Sequence, residues 1–303
     1  MNREELLNKL KLPAMCAPMF LISGPEMVIA ASKAGLLGCF PTPNARSTEI
    51  LDEWMTQIKT ELGDTPWAVN IVVHPSYPRR DADLEMIKKH QPPIVVTALG
   101  SPAHVIEEVH AYGGIVVADV ISPSFAKKAV AAGVDGLVLV AAGAGGHTGY
   151  LSPFVFVREV REFWDGLLIL GGGLSSGADI HAVEIMGADM ANLGTRFIPT
   201  DESMAQDGYK QMVVDCGADD IMISDAITGV KANWMIPSLI QAGYDPRNMP
   251  SAAGINFAEA GADAKKWKDI WAAGQGVGAS QSVQSIAELS AKLISEYQQA
   301  RGK

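Results

Sequence analysis

The sequence predicts an α/β protein, a (β/α)8 TIM barrel with a small C-terminal helical subdomain over the barrel mouth. A helix-like segment that ends in Ala or Gly, followed by a short apolar run, recurs at residues 30–40, 107–119, 129–140 and 182–193. Glycine at the end of such a segment is typical of helix C-termini, where the chain adopts a positive φ. The apolar runs are continuous rather than alternating, which indicates parallel strands that are buried on both faces.

Eight runs of this kind supply the number of strands that a closed barrel requires. We predict strands at residues 14–19, 36–40, 67–73, 94–98, 115–119, 137–140, 167–170 and 190–193. Helix-compatible segments lie between them, for instance at 47–61, 103–110 and 124–132. A doubly wound open sheet remains the alternative fold, because eight strands with helices would suit it too.

The pattern changes after residue 193. Residues 1–200 and 261–303 are assigned to the barrel with its C-terminal helix, and residues 201–260 to a helical insertion that covers the substrate site. Within the insertion, short helical pieces alternate with turns that contain Pro or Gly. Residues 281–300 predict an amphipathic helix, and its apolar face comprises Val283, Ile286, Leu289, Leu293 and Ile294.

The composition excludes several classes of protein. With 48% hydrophobic and 19% charged residues among 303, the chain can bury a large core and is not intrinsically disordered. The 24 basic and 34 acidic side chains give a net charge of −10, and without a basic stripe we expect no nucleic-acid binding. The sequence shows neither a signal-peptide core nor an apolar stretch of about 18 residues, so we expect no membrane association. Cys16, Cys39 and Cys216 are widely spaced, which is typical of reduced thiols in a cytoplasmic protein.

Two glycine-containing segments indicate an anion site. In a barrel, chemistry gathers at the C-terminal ends of the strands, and the loops after strands seven and eight commonly bind phosphate. Gly171, Gly172 and Gly173 follow the seventh predicted strand, and Gly194 and Thr195 follow the eighth. Glycine lets backbone N–H groups approach an anion closely. We therefore predict phosphate binding between the two loops; the alternative is that the glycines only make tight turns.

The loop after the sixth strand, residues 143–149, combines small residues with one histidine. It is not a Walker A loop, because no Lys follows the glycines. The small residues of this loop leave room for a flat ring to lie against the backbone, and His147 would project into the pocket for proton transfer or hydrogen bonding near neutral pH. The alternative is a flexible turn with an incidental histidine. His74, after the third strand, is a second imidazole that could line the pocket.

Other chemistries lack the residues that they need. The sequence has no HExxH, no CxxC and no clustered His/Asp/Glu set, so we expect no metal. It has no GxSxG elbow of a serine hydrolase. Residues 274–279 fit a GxGxxA pattern, but a helical run precedes them and a Rossmann turn is therefore not indicated. As a loop that returns to the barrel mouth, this segment could cover a cofactor.

Seven short motifs occur in order along the chain: APM (17–19), WAVN (67–70), AGGHTG (144–149), GGG (171–173), NLGTRF (192–197), TG (228–229) and WAAGQ (271–275). Together they resemble the nitronate monooxygenase family, formerly called 2-nitropropane dioxygenases. The match covers nearly the whole chain, from about residue 12 to residue 280. The combination of AGGHxG with GTRF is specific to this family and its flavin-dependent relatives, which include an enoyl-acyl-carrier-protein reductase and an NADH:quinone reductase.

The resemblance implies a TIM barrel that binds FMN without a covalent bond. The backbone around Ala17, Pro18 and Met19 would then pack against the isoalloxazine ring, and Asn70 would hydrogen-bond to its polar edge. Asp119 stands where some quinone-reductase relatives have a Lys near the flavin. If Asp119 points inward, it would disfavour negative charge on a reduced flavin.

The resemblance also implies roles for the glycine loops. Gly145 and Gly146 would border the ring near His147, and the five residues of the predicted anion site would cradle the FMN phosphate. Gln275 corresponds to a family position near the cofactor. The strand-six loop departs from the family, because well-known members have a Gln and a Glu where this chain has the uncharged residues 141–144.

The activity implied by the resemblance is oxidation of an alkyl nitronate by FMN and O₂, with release of nitrite and a carbonyl compound. His147 would hold the nitronate oxygens, or act as base on the α-proton of a nitroalkane. Two alternatives remain: an NAD(P)H-dependent FMN reductase that acts on quinones or enoyl thioesters, and a non-redox phosphate-binding barrel enzyme. The expected partners are small molecules, a nitronate or nitroalkane and in the reductase alternative NAD(P)H, and the sequence leaves a homo-oligomer open.

Overall fold

The computed structural model describes residues 1–249 and 269–302, and its centre is a closed barrel of eight parallel strands. The barrel order is β1-β2-β3-β4-β5-β6-β8-β9, and β1 pairs with β9 to close the ring. The strands are β1 (Ala14–Cys16), β2 (Leu37–Pro41), β3 (Trp67–Val72), β4 (Ile94–Ala98), β5 (Ile115–Val120), β6 (Gly136–Val140), β7 (Gly146–His147), β8 (Leu167–Gly171), β9 (Met190–Leu193), β10 (Ile221–Ser224) and β11 (Ala232–Met235).

Helices alternate with the barrel strands and cover their outer faces. The helices are α1 (Arg3–Lys9), α2 (Pro25–Ala34), α3 (Thr48–Leu62), α4 (Arg80–His90), α5 (Ala103–His110), α6 (Pro123–Ala132), α7 (Pro153–Arg161), α8 (Gly177–Met186), α9 (Asp207–Asp215), α10 (Ile236–Gln241) and α11 (Ile286–Ala300). Among the described residues, no helix combines the length and the apolar character needed to cross a membrane.

The core has two layers that follow from the alternation of side chains along each strand. One set of strand residues, such as Met15, Leu37 and Val96, packs inside the barrel together with Leu6 of α1. The other set packs outward against the helices, as Val95 of β4 does. Because both faces of each strand are buried, the apolar runs in the sequence are continuous.

The structure confirms the TIM barrel, and the open doubly wound sheet is wrong because β1 pairs with β9. All eight predicted strands are present, and their ends differ from the prediction by up to three residues. The first strand ends at Cys16 rather than residue 19. Pro18 has no N–H for a strand ladder, and the chain turns there into a loop that Asn44 holds through a hydrogen bond from its Nδ2 to the Met19 carbonyl (2.9 Å).

The C-terminal amphipathic helix begins later than predicted. Ser285 is its N-cap and forms a capping box with Glu288, so α11 starts at Ile286. Val283 therefore precedes the helix and is exposed, whereas Leu289 and Leu293 are buried in the outer core layer as predicted.

The segment after β9 is only partly helical. It contains α9 and α10, but also β10 and β11, which form a three-stranded antiparallel sheet with β7 in the order β10-β11-β7. The strands were hidden in the sequence because each has only four residues, and the partner strand β7 lies about 85 residues earlier and is itself only two residues long. Residues 250–260 of the predicted insertion and residues 261–268 of the predicted barrel lie outside the described residues.

Candidate active site at the barrel mouth

A cavity of about 1510 Å³ opens at the C-terminal ends of the barrel strands. Binding sites for small molecules and cofactors usually have volumes of about 300–1,000 Å³. The cavity therefore has room for a substrate beside a cofactor. It is bounded by loops that follow all eight barrel strands and by residues 271–274 and Gly276, at the end of the barrel where enzymes of this fold place their chemistry.

The loop after β8 is shaped to receive a group from the cavity. Gly171, Gly172 and Gly173 all line the cavity, and the Gly173 N–H donates to the Gly143 carbonyl (3.2 Å). Gly173 has φ +70°, and a Cβ placed on it would meet no atom within 4 Å. A side chain here would thus adopt an unfavourable backbone conformation and project into open space, so glycine keeps a cradle free.

Polar groups without partners surround this cradle. Within the described parts of the chain, the N–H groups of Leu174 and Thr195 meet no acceptor. The buried Oδ1 atom of Asn192 on β9 also lacks a hydrogen-bond partner among those residues. Unpaired N–H groups beside a glycine loop suit an anion, and buried polar atoms normally have partners. A phosphorylated cofactor with further polar groups fits this part of the site.

The loop after β6 and the segment after residue 270 are tied to the same place. The Gln275 N–H donates to the Gly143 carbonyl (3.0 Å), and the Gly274 N–H donates to Thr195 Oγ1 (2.8 Å). A Cβ on Gly145 would lie 2.7 Å from the Gly274 nitrogen, so only glycine permits this approach of the two backbones. Gly145 and Gly146 line the cavity, as predicted for residues that border a ring.

His147 owes its position to the three-stranded sheet. His147 lies on β7, is exposed and lines the cavity. In the antiparallel pairing of β7 with β11, it stands opposite Ala232. The next N–H, of Thr148, donates to the Lys231 carbonyl (3.1 Å), and Asn233 Nδ2 donates to the Ala144 carbonyl (2.6 Å). The sheet therefore fixes the backbone on both sides of the imidazole, which argues against a flexible turn.

The loop after β1 forms another wall. Ala17, Pro18 and Met19 line the cavity, and the Ala17 N–H donates to the Leu193 carbonyl (2.9 Å). Ser23 Oγ accepts from the Met19 N–H (3.0 Å) and thereby holds the loop. Asn70 on β3 is buried, faces the cavity and donates from Nδ2 to the Val96 carbonyl (3.3 Å).

Asp119 near the end of β5 lines the cavity and is partly buried. Its carboxylate accepts no hydrogen bond and forms no ion pair within residues 1–249 and 269–302. Burial without compensating partners disfavours the charged form and raises the pKa of Asp119 to about 7. Because Asp119 lines the cavity, it meets the condition under which its carboxyl group would disfavour negative charge on a reduced flavin.

The structure brings nearly all of the predicted site residues together. All of them line the cavity except Gln275. Its two neighbours in the chain, Gly274 and Gly276, do line the cavity. His74 lines the cavity too. The unpaired amide of Asn192, the sheet that carries His147 and the apolar residues Leu99 and Phe125 are site features that the sequence did not reveal. No group of three or more potential metal ligands occurs among the described residues.

The family and the structural neighbours of the chain indicate a flavin-dependent TIM-barrel oxidoreductase, and the closed barrel with glycine loops after its last two strands agrees with that class. The chain belongs to the nitronate monooxygenase family, whose model matches residues 45–296. Its cofactor is FMN. The non-redox barrel that the sequence left open is therefore excluded.

Two curated relatives are similar to this chain in sequence. Over 205 residues the chain is 30% identical to a nitronate monooxygenase of Paraburkholderia phytofirmans, covering 64% of this chain and 56% of the relative. Over 238 residues it is 27% identical to (3aS,4S,5R,7aS)-5-hydroxy-7a-methyl-1-oxo-octahydro-1H-indene-4-carboxyl-CoA dehydrogenase of Rhodococcus jostii, covering 78% of this chain and 66% of the relative. The chain thus spans 56% and 66% of the length of these relatives, less than two thirds of each.

Solved structures agree with the fold. FabK from Thermotoga maritima superposes with a TM-score of 0.83 at 22% identity, over 100% of this chain and 97% of FabK. A nitroalkane oxidase from Streptomyces ansochromogenes superposes with a TM-score of 0.84 at 24% identity, over 98% of this chain and 99% of the oxidase. Both are similar to this chain in fold.

Proposed function

We propose that the protein oxidises alkyl nitronates with O₂, with FMN held at the barrel mouth by the loops after β8 and β9. Two nitronate anions and one O₂ would give two carbonyl compounds and two nitrite anions, so atoms and charge balance. The observation that carries the proposal is that His147 lines the same cavity as Gly173 and Thr195. Membership of the nitronate monooxygenase family supports it.

In this proposal the chain binds, orients and handles protons. The N–H groups of Leu174 and Thr195 would donate hydrogen bonds to the phosphate of the cofactor, and the loop after β1 would support its ring. FMN, when bound, would accept the electrons of the oxidation, because a flavin cofactor supplies redox chemistry and the protein supplies its binding and orientation.

His147 has two tasks in this scheme. As a hydrogen-bond donor it holds an oxygen of a nitronate, whose negative charge is delocalised over the nitro group. With a neutral nitroalkane, an unprotonated ring nitrogen of His147 accepts the α-proton. Only the second task requires a base.

These two tasks can be separated by substitution. His147→Gln keeps a hydrogen-bond donor but removes the base, so we expect the FMN-loaded variant to lose turnover of nitroethane far more than turnover of ethyl nitronate, both followed as nitrite release. His110→Gln is the matched control, because His110 lies on α5 and does not line the cavity. Equal losses on both substrates would contradict the assigned role as base, and unchanged turnover of both would remove His147 from the mechanism. If even the unmodified holoenzyme released no nitrite from either substrate, the proposed reaction would be wrong.

A second candidate is an NAD(P)H-dependent reductase that acts on quinones or enoyl thioesters. Two observations support this reductase: the chain is similar to a carboxyl-CoA dehydrogenase, and the cavity has room for a large substrate. Mixing the holoenzyme with NADH or NADPH without oxygen separates the two functions. Rapid bleaching of the flavin by NADH or NADPH supports the reductase, whereas bleaching only by a nitronate supports the monooxygenase.

A further inference from the structure

Three large apolar side chains line the cavity after two neighbouring barrel strands, and we call this set the apolar arm: Leu99 after β4, Ile121 after β5 and Phe125 in the first turn of α6. Their exposed fractions are 37%, 43% and 51%. Large apolar side chains that are exposed in a cavity are typical of a binding surface.

The backbone holds the apolar arm in place. Leu99 has φ +62°, a left-handed conformation that is unfavourable for a residue with a Cβ and that tends to occur at functional sites. A Cβ on the following Gly100 would lie 3.1 Å from the Val73 carbonyl oxygen, so the loop after β4 is packed closely against the end of β3. The apolar arm is thus a built feature of the mouth.

A cation lies at the apolar arm. Lys128, one helical turn after Phe125, lines the cavity, and its Nζ atom is 5.5 Å from the centre of the Phe125 ring. Among the described residues Lys128 forms no ion pair. Of the described residues that line the cavity, Lys128 and Arg46 are cationic, and Asp119 is the one carboxylic acid. In a chain of net charge −10, this balance makes the mouth locally favourable for an anion.

We propose that the apolar arm and Lys128 form a specificity subsite for an elongated amphipathic anion, whose apolar chain contacts Leu99, Ile121 and Phe125 and whose distal anionic group pairs with Lys128. This inference rests on the proposed function, because it describes the substrate that reaches the same mouth. It adds that the preferred substrate extends well beyond a short nitroalkane and carries a negative charge away from the reacting carbon.

Binding of unreactive analogues tests the subsite without turnover. The FMN-loaded protein is titrated with butanoate, hexanoate and octanoate, and with the alcohols of the same lengths, and binding is followed by the visible spectrum of the flavin. Each added methylene that reaches the apolar arm should tighten binding by about fourfold. Each carboxylate should bind about two- to fivefold more tightly than its alcohol, as expected for a solvent-exposed ion pair.

Two variants assign these effects to residues, each with a control. Phe125→Ala should flatten the dependence on chain length, whereas Phe154→Ala, which removes an aromatic ring that is 71% exposed outside the cavity, should not. Lys128→Gln should abolish the preference for carboxylates over alcohols. Lys127→Gln is its control, because Lys127 lies on the same helix over Phe163 and does not line the cavity.

The outcomes separate this inference from the proposed function. Affinity that is independent of chain length, or unchanged in both Phe125→Ala and Lys128→Gln, overturns the subsite even if the enzyme oxidises nitronates. A chain-length and charge preference that disappears in these variants supports the subsite, even if no nitronate is turned over.

Discussion

The partly buried carboxyl group of Asp119 predicts a pH dependence of the free energy of unfolding, and its magnitude can be calculated. Its pKa is raised from 3.8 to about 7 because burial disfavours the charged form. The folded state therefore holds this proton more tightly than the unfolded state does. Ionised Asp119 therefore destabilises the folded state once the pH exceeds the pKa of Asp119 in the unfolded chain. This destabilisation grows until the pH exceeds the pKa of Asp119 in the folded protein. Because each tenfold change in proton affinity corresponds to about 1.4 kcal/mol, the penalty is at most about 4 kcal/mol, and water in the cavity would lower it.

Asp119→Asn removes this penalty without a large change of shape. We expect the stability advantage of the variant over the unmodified protein to grow by about 1.4 kcal/mol between about pH 6 and about pH 8.5. The assay is urea unfolding of FMN-free protein at both pH values, followed by tryptophan fluorescence and extrapolated to water. Asp165→Asn, the same chemical change at an exposed position, controls for the loss of one negative charge. A stability difference between Asp119→Asn and the unmodified protein that does not depend on pH would refute the reasoning.

The remaining predictions concern the cofactor site and the imidazole. Gly173→Ala should weaken FMN binding by tenfold or more while leaving riboflavin binding less affected, because its methyl group would project into the phosphate cradle; comparing the two dissociation constants checks this, and equal losses would contradict a phosphate site there. Gly194→Val should also weaken FMN binding, since even a Cβ would lie 3.3 Å from Met19 Sδ, and unchanged affinity would count against the two-loop site. His147→Ala should retain FMN, seen in the flavin spectrum, but lose most nitrite release; full turnover would remove its catalytic role.

The barrel could be predicted because its information is local and repeated. Most of the barrel strands are short apolar runs, and several helices end at a glycine, such as the left-handed Gly133 after α6. The end of β1 was misplaced because an apolar run does not show where Pro18 turns the chain. The start of α11 was misplaced because the cap at Ser285, rather than the first apolar residue, decides it.

The candidate site was predictable where glycines and motifs mark it, and less so where contacts distant in sequence create it. The glycine loops could be predicted because their glycines closely follow predicted strands in the sequence. The support of His147 by β11 was not, because the register between Ala232 and His147 joins segments far apart in the chain. Leu99 and Phe125 were hidden for a different reason: an apolar residue in a sequence does not reveal whether it is buried.

A crystal structure of the FMN complex measures the position of the cofactor directly. We predict phosphate oxygens within about 3.2 Å of the Leu174 and Thr195 nitrogens, and the flavin ring in the same cavity as His147. Phosphate bound elsewhere, or a ring with His147 directed away from it, would contradict this placement.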